Sequence, residues 1–94
     1  MVKWDHMKLI IAIIRDEDSD PVLQALIEAS FRVTRIASTG GFLRRGSTTL
    51  MIGVEDEKVD EAILVIQENC SLTVEPGFKR ATLFVVKVDH FSQI

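Results

Sequence analysis

Runs of apolar residues separated by polar turns divide the chain into six predicted elements of secondary structure. Nearly continuous or alternating apolar runs, which are typical of strands, lie at residues 9–14, 31–36, 47–54 and 81–88. Apolar residues at helical spacing predict two amphipathic helices, one that begins at Asp20-Pro21 and one that opens at Glu55. The order β-α-β-β-α-β predicts an α+β domain with a ferredoxin-like fold, in which both helices cover one face of an antiparallel sheet.

The start of the first helix is predicted from Asp20, which suits an N-cap, and Pro21, which suits the first helical position. We expect this helix to extend to about Ser30. The acidic residues near its positive end are Asp16, Glu17, Asp18 and Asp20. A metal site at this cluster is the alternative interpretation, but the spacing is not that of an EF-hand, and we expect no metal.

The predicted sheet has one face that no helix covers. The first and last strands are apolar on both faces, and the third strand adds Leu50, Met51 and Ile52. An exposed apolar patch of this size is unusual in a monomer. We therefore expect the uncovered face to pack against copies of itself in a closed oligomer.

A glycine-rich stretch between the second and third strands is the strongest candidate for binding chemistry. Residues 37–50 hold three of the five glycines, two adjacent arginines and five hydroxyl residues. Such a loop can form an anion nest from successive backbone N–H groups. A plain hairpin loop with soluble side chains is equally compatible with the pattern, because short glycine-rich loops are common.

A polar row leads into this stretch. Period 2 places Phe31 and Val33 on one face of the second strand, and the other face carries Ser30, Arg32 and Thr34. The row is either a solvated outer face or one wall of the loop's site. Gly53, near the end of the third strand, allows a bulge or a close backbone approach.

Composition narrows the class of protein. The chain has 94 residues, and we expect one domain at 7–94 after a short extension at 1–6. A net charge of −3 argues against a broad nucleic-acid or anionic-membrane footprint. The one cysteine, Cys70, excludes an intrachain disulfide and is most simply a buried apolar side chain. The single cysteine also fits a reducing compartment, so we expect a cytoplasmic protein. No apolar run approaches the roughly 20 residues of a membrane-spanning helix.

Catalytic groups are sparse in the sequence. His6 and His90 lie outside the predicted elements, with no cysteine or carboxylate at metal-ligand spacing beside them. The sequence contains neither a P-loop nor a dinucleotide-binding G-x-G-x-x-G motif. An RNA-binding sheet would need exposed aromatic residues on its central strands, and the third strand has none. We therefore expect a protein that is not an enzyme.

Seven short motifs occur between Met7 and the end of the chain. They are Lys8-Leu9-Ile10-Ile11-Ala12-Ile13, Asp16-Glu17-Asp18-Ser19, Phe31-Arg32-Val33-Thr34, Ser38-Thr39-Gly40-Gly41-Phe42-Leu43, Gly46-Ser47-Thr48-Thr49, Ile52-Gly53-Val54 and Val88-Asp89-His90-Phe91-Ser92-Gln93. Together they resemble the PII-like cyclic-di-AMP receptor family. The resemblance implies a ferredoxin-like fold and a homotrimer that binds the dinucleotide between subunits. It also implies no catalytic activity, no cofactor, and signalling through ligand-dependent loop changes.

The resemblance further implies a set of ligand-binding residues. They are Arg32, Thr34, Gly41, Phe42, Leu43, Gly53, Phe84 and Gln93. The loop and the polar row add Ser30, Thr39, Gly40 and Ser47 as candidates. Ser30 and Ser47 stand where the family usually has Asn. Phe84 is alternatively a core residue of the last strand.

One segment departs from the family pattern. The connector at 71–80 is much shorter than the loop rich in Gly, Pro and Tyr that the family has there, and Pro76-Gly77 fixes a turn within it. We expect this connector to be ordered without ligand and the site to be more open than in the family.

The sequence is compatible with two functions. One is a homotrimeric, non-enzymatic sensor of cyclic-di-AMP or a related adenine nucleotide, whose downstream partner the sequence does not indicate. The other is a small oligomeric α+β enzyme or scaffold that uses the intersubunit cleft for another ligand.

Overall fold

A computed structural model describes residues 7–36, 47–71 and 81–88 of the chain. The elements are β1 (Met7–Arg15), α1 (Asp16–Glu28), β2 (Arg32–Ile36), β3 (Ser47–Glu55), α2 (Val59–Asn69) and β4 (Ala81–Lys87). A single 3₁₀ turn, Asp56–Lys58, leads into α2. Neither helix within these ranges has the length and apolar character that crossing a membrane would require.

The four strands form one antiparallel sheet in the order β2-β3-β1-β4. This order, with β1 and β3 in the centre, confirms the ferredoxin-like topology that the sequence predicted. Ile10 of β1 lies opposite Ile52 of β3 on one side and Val85 of β4 on the other. Residues that face each other across antiparallel strands share a face of the sheet, so this register assigns every strand residue to one of two faces.

One face packs beneath the two helices and forms the core. The buried residues of this core alternate along β1 and β3 and recur at helical spacing in α1 and α2: Ile10, Ala12, Ile14, Leu50, Ile52, Val54, Val22, Leu26, Ala62 and Ile66. Cys70, just after α2, is also buried in this cluster, as the sequence predicted. Burial of each Ile, Leu or Val side chain in this set contributes about 1.5–3 kcal/mol to the driving force of folding.

The first helix begins earlier than predicted. Asp20 is not its N-cap, because α1 starts at Asp16 and Arg15 occupies the cap position without a side-chain cap hydrogen bond. Pro21 lies inside the helix, where it lacks the N–H that would bond to the carbonyl group of Glu17. The earlier turn is stabilised by acidic side chains at the positive end of the helix dipole and by contacts of Asp16 and Asp18 with other segments.

Ser30 lies in the turn between α1 and β2, two residues beyond the end of the helix. Its φ angle of 70° lies in the left-handed region. The N–H of Ser30 bonds to the Ile27 carbonyl group at 2.9 Å, and the N–H of Phe31 bonds to the Leu26 carbonyl group at 3.0 Å. These two bonds form a Schellman motif, in which the left-handed residue is most often Gly and sometimes Asn. Ser30 therefore lies in a turn, outside the polar row of β2.

We predict that replacing Ser30 by glycine stabilises the protein. A non-glycine residue in the left-handed region destabilises the folded state by about 1–2 kcal/mol, and glycine removes this strain. The strain removed is larger than the opposing effect of glycine, which raises the backbone entropy of the unfolded chain. Ser30→Gly should raise the free energy of unfolding by up to about 1 kcal/mol in urea titrations at fixed chain concentration. The control, Ser30→Val, should lower it by a similar amount, since a β-branched residue resists this conformation. A gain in stability with valine would contradict the argument.

Candidate functional site

The face of the sheet opposite the helices, here called the open face, carries most of the described candidate residues. The register places on it Leu9, Ile11, Ile13, Arg32, Thr34, Ile36, Ser47, Thr49, Met51, Gly53, Thr82, Phe84 and Val86. Arg32 and Thr34 thus share a face, and Val33 packs against the core on the other, as the alternation in β2 predicted. The open face is apolar at Leu9, Ile11 and Ile13 of β1 and polar at Arg32 and Thr34 of β2.

Arg32, Thr34 and Gly53 form a compact group at the β2 edge of the open face. Arg32 lies directly opposite Gly53, and Thr34 lies opposite Met51 on the same pair of strands. Both Arg32 and Thr34 are exposed. The group therefore presents a cation and a hydroxyl group beside a position that has no side chain.

Gly53 forms a shallow recess in this group. It pairs in regular register with Arg32 on one side and Leu9 on the other, so the bulge that the sequence allowed is not formed. Among the described residues, a Cβ atom added to Gly53 would meet no atom within 4 Å, so packing within this part of the chain does not require glycine here. Its effect is to leave backbone accessible between the Arg32 and Leu9 side chains.

The two arginines of β2 have different roles. Arg35 lies on the helix side of the strand, where its Nη1 donates to Asp20 Oδ1 at 2.6 Å and to Ser19 Oγ at 3.1 Å. Within the described ranges, Arg32 has no ion pair with a carboxylate. Arg35 thus contacts α1 at the surface, whereas Arg32 lies on the other face of β2 and makes no such ion pair within the described part of the chain.

Two other candidates on the open face lie far from this group. Phe84 is 51% exposed on β4, the opposite edge of the sheet, three strand spacings of about 4.8 Å from Thr34 in the same cross-strand row. Ser47 is the first residue of β3, at the end of the glycine-rich segment and about 20 Å along the strand from Gly53. One chain alone does not bring Phe84 beside Arg32.

The remaining candidates cannot be placed on this face. Ser30 lies in the turn after α1. The candidates that lie outside the described residues are Thr39, Gly40, Gly41, Phe42, Leu43 and Gln93. The connector also lies outside them, apart from Ser71.

A polar cluster at the start of α1 was not predicted from the sequence. Asp18 is 3% exposed, and its Oδ1 accepts hydrogen bonds from the backbone N–H of Ser71 at 3.1 Å and from the Ser71 hydroxyl group. Arg15 Nη2 donates to the Ser71 carbonyl oxygen at 2.6 Å and lies 3.3 Å from Asp18 Oδ2. Asp16 Oδ1 accepts a hydrogen bond from the hydroxyl group of the buried Thr48. The sequence feature that could have indicated this cluster is the run of acidic residues, but their favourable interaction with the positive end of the helix was a sufficient explanation for them.

The surroundings of Asp18 favour its charged form. Burial raises the pKa of this carboxyl group, but the two hydrogen bonds from Ser71 and the positive charge of Arg15 outweigh burial. The pKa of Asp18 is therefore lower than its ordinary value of 3.8. Asp18 is ionised at neutral pH and acts as a fixed acceptor for the start of the connector.

Comparison with known proteins gives a family match and structural relatives. Residues 7–76 match the family described as cyclic-di-AMP receptor. A solved structure of a functionally unknown protein from Pediococcus pentosaceus is 34% identical, with a TM-score of 0.77 over 96% of this chain and 99% of that chain. The structure of Arabidopsis thaliana PII bound to citrate is 25% identical, with a TM-score of 0.70 over 89% of this chain and 78% of that chain. The Pediococcus chain therefore has about the same length as this one.

We predict that Asp18→Asn lowers stability and removes part of its acid sensitivity. Because the folded-state pKa of Asp18 is below the unfolded value, its contribution is complete well above pH 3.8 and is lost as the pH falls through the folded value. At pH 7 the variant should lose about 1–3 kcal/mol of unfolding free energy in urea titrations, the cost of an impaired buried charged hydrogen bond. Carboxyl groups titrate between about pH 5 and about pH 2. As the pH is lowered over this range, the unfolding free energy of Asp18→Asn should fall less steeply than that of the natural protein.

Asp20→Asn is the matched control, because it is on the same helix and its side chain is 87% exposed. It should change the unfolding free energy by no more than about 0.5 kcal/mol. Equal decreases in the unfolding free energy of the two variants would contradict the prediction that the hydrogen bonds of Asp18 stabilise the fold.

Proposed function

The chain belongs to the cyclic-di-AMP receptor family, and from this membership we propose that it binds cyclic-di-AMP, or a related adenine nucleotide, between the subunits of a homotrimer. We propose that it is a signalling protein without catalytic turnover. The observation that carries the proposal is the group of Arg32, Thr34 and Gly53 on the open face. The PII relative supports the fold and this general class of protein.

The chemistry of this group suits a nucleotide. The Arg32 guanidinium is a planar donor that matches a phosphate group or the acceptor edge of a base. Thr34 adds a hydroxyl group that both donates and accepts. The recess at Gly53 lets a flat base or a phosphate approach the backbone of β3 closely. These are binding groups, and the proposal needs none of them to act as an acid, a base or a nucleophile.

A site between subunits is supported by the distribution of residues over the open face. Arg32 and Phe84 are at opposite edges of one sheet, so both can contact one ligand only if neighbouring subunits supply them. The surface between these edges is apolar, with Leu9, Ile11 and Met51 in its centre. Phe84 and Val86 of the outer strand are 51% and 42% exposed. Covering this surface with other copies removes apolar area from water.

The proposed site also takes residues from outside the described part of the chain. The glycine-rich segment would supply backbone N–H groups from Gly40 to Leu43, with Thr39 and Phe42 as side-chain contacts. Gln93 would contribute an amide group from the C-terminal tail. Ser47 lies where that segment rejoins the sheet.

We predict that the protein is a trimer held by the open face. Light scattering after size exclusion at micromolar concentration should return three times the chain mass of 10.6 kDa. Phe84→Glu should shift the mass toward that of one chain, because a charge buried in an apolar interface is costly. Leu64→Glu is the control, since Leu64 is also 51% exposed but lies on α2. A natural protein that elutes with the mass of one chain would refute the assembly.

We predict that Arg32→Ala weakens binding of cyclic-di-AMP by roughly 1.5–3 kcal/mol, as expected for loss of a charge-assisted hydrogen bond. Calorimetric titration measures the affinity. Arg35→Ala is the matched control on the same strand, because Arg35 lies on the helix side and should leave the affinity unchanged. If Arg32→Ala binds the nucleotide as tightly as the natural protein and the oligomer is intact, Arg32 is a solvent-exposed surface residue that does not contact the nucleotide.

Gly53→Ala is a companion variant for the same titration. The added methyl group meets no atom within 4 Å in the part of the chain that the structure describes, so the stability should not fall. If the nucleotide lies over the recess, the methyl group will reduce the affinity.

A panel of cyclic-di-AMP, cyclic-di-GMP, ATP, ADP and AMP in a thermal-shift assay identifies the preferred nucleotide, because binding to the native state raises its apparent stability.

A further inference from the structure

Leu64 is a large apolar residue that the described fold leaves half exposed. It lies in the middle of α2 and is 51% exposed, whereas Ala62 and Ile66 of the same helix are completely buried. It is on the helix side of the sheet, so packing of open faces against one another does not cover it. A single exposed leucine is common in soluble proteins, so the residues around Leu64 decide whether it has a role.

Leu64 borders the line of contact between α1 and α2, here called the seam. The two helices are antiparallel, because they follow the antiparallel strands β1 and β3, and Asp18 near the start of α1 is bonded to Ser71 just after α2. The opposite side of α2 faces β4, where Gln67 lines a small cavity together with Leu83. Because an α-helix turns by about 100° per residue, Leu64 points away from β4, toward α1 and the solvent.

Each helix presents an exposed stripe along the seam. Residues three or four positions apart lie on one face of a helix, and the exposed residues with this spacing form the stripes. On α2 they are Glu61, Leu64 and Glu68, and on α1 they are Glu17, Pro21, Gln24 and Glu28. The α1 stripe lies next to the half-buried Ala25, on the side that Asp18 turns toward α2. Both stripes therefore have glutamates at their ends and no charged side chain in the middle.

The charges of the two helices have one sign. α1 holds five acidic residues and α2 holds three, and neither helix contains Lys, Arg or His. The helix dipole favours acidic residues in the first turns, but it disfavours Glu28 and Glu68, which lie in the last turns. Glu28 accepts a hydrogen bond from Gln24 at 3.4 Å, and no carboxylate of the two stripes has an ion pair within the described part of the chain. Helix stability therefore does not account for these two glutamates.

The sign of this charge narrows the class of partner. A second copy would bring one acidic pair of helices against another, and like charges across an interface are unfavourable. Nucleic acids and anionic lipid surfaces are repelled for the same reason. A basic segment of another protein is attracted instead. Glu61 and Glu68 are two helical turns apart, about 10 Å, so Lys or Arg residues two turns apart on a partner helix match both.

We propose that the two stripes form a docking surface for a basic amphipathic helix of a partner protein. An apolar residue of that helix packs on Leu64, and Lys or Arg residues two turns apart pair with Glu61 and Glu68. In this helix-in-groove mode of recognition, the apolar contact supplies affinity and the charges select the partner and its orientation. The surface is on the other side of the sheet from Arg32 and Gly53, so the inference does not depend on nucleotide binding.

A synthetic helical peptide tests the proposal by fluorescence anisotropy with the full chain. The peptide is rich in alanine, carries Lys residues about seven positions apart, and has Leu residues between them on the same face. A second peptide has Gln in place of each Leu and keeps the charge. Both titrations are done at an ionic strength of about 0.15 M, where weak attraction between exposed charges is largely screened.

Two pairs of matched variants accompany the titration. Leu64→Ser removes the apolar contact, and Ile27→Ser is its control, because Ile27 is also 51% exposed but lies on the side of α1 where Asp20 contacts β2. Glu68→Lys reverses a charge of the stripe without destabilising the helix, since a positive charge suits a helix C-terminus. Glu55→Lys is its control, because Glu55 is exposed at the end of β3.

The natural protein should bind the leucine-containing peptide and bind the glutamine peptide at least about tenfold more weakly. Leu64→Ser should weaken binding by about tenfold, as expected for an anchor residue, and Ile27→Ser should stay within about twofold of the natural protein. Glu68→Lys should also weaken binding by about tenfold, whereas Glu55→Lys should stay within about threefold.

Three results would overturn the proposal. The first is no binding of the leucine-containing peptide to the natural protein. The second is equal binding of the two peptides, which would mean attraction between charges alone. The third is an equal loss of affinity in Leu64→Ser and Ile27→Ser, which would place the peptide elsewhere on the surface. A change of oligomer mass in Leu64→Ser, measured by light scattering, would identify the surface as a contact between copies and overturn the proposal as well.

Discussion

The register between β1 and β3 is the constraint on which the rest of the structure depends. The two strands pair without interruption from Met7–Glu55 to Arg15–Ser47. Because side chains alternate along a strand, this register puts Ile10 and Ile52 under the helices and leaves Gly53 on the open face. A slip by one residue would move the isoleucines to the surface and the glycine into the core. The same backbone hydrogen bonds therefore fix both the core and the candidate binding surface.

Local periodicity explains what the sequence predicted correctly. The order of strands and helices, the antiparallel pairing of β2 with β3, and the opposite orientation of Val33 and Arg32 all follow from alternation or helical spacing. These properties need no knowledge of distant partners. The position of Arg32 beside Gly53 was different, because it depends on the register between two strands that the pattern alone does not set. The family resemblance identified both residues as candidates, and the structure shows that they are neighbours.

Contacts between distant segments explain what the sequence missed. Asp20-Pro21 is a strong local start signal, yet α1 begins at Asp16, whose carboxylate binds Thr48 of β3. Likewise, Asp18 looked like a dipole partner, whereas its main hydrogen bonds come from Ser71, far along the chain. No local pattern contains these partners. Ser30 is a different case, because its conformation belongs to a local Schellman motif at the end of α1, in which this chain has Ser instead of the usual Gly or Asn.

The position of β4 has a consequence for how the chain folds during synthesis. β1 is a central strand whose two neighbours are β3 and β4, so its second edge is completed by the last strand in the described chain. Until residues 81–87 leave the ribosome, the backbone N–H and carbonyl groups on that edge of β1 have no strand partner within the described sheet. Pairing between strands so far apart in sequence is slow to form, and an unpaired apolar edge is prone to join another chain. The interval before β4 emerges is therefore the stage of synthesis at which this apolar edge of β1 is open to pairing with another chain.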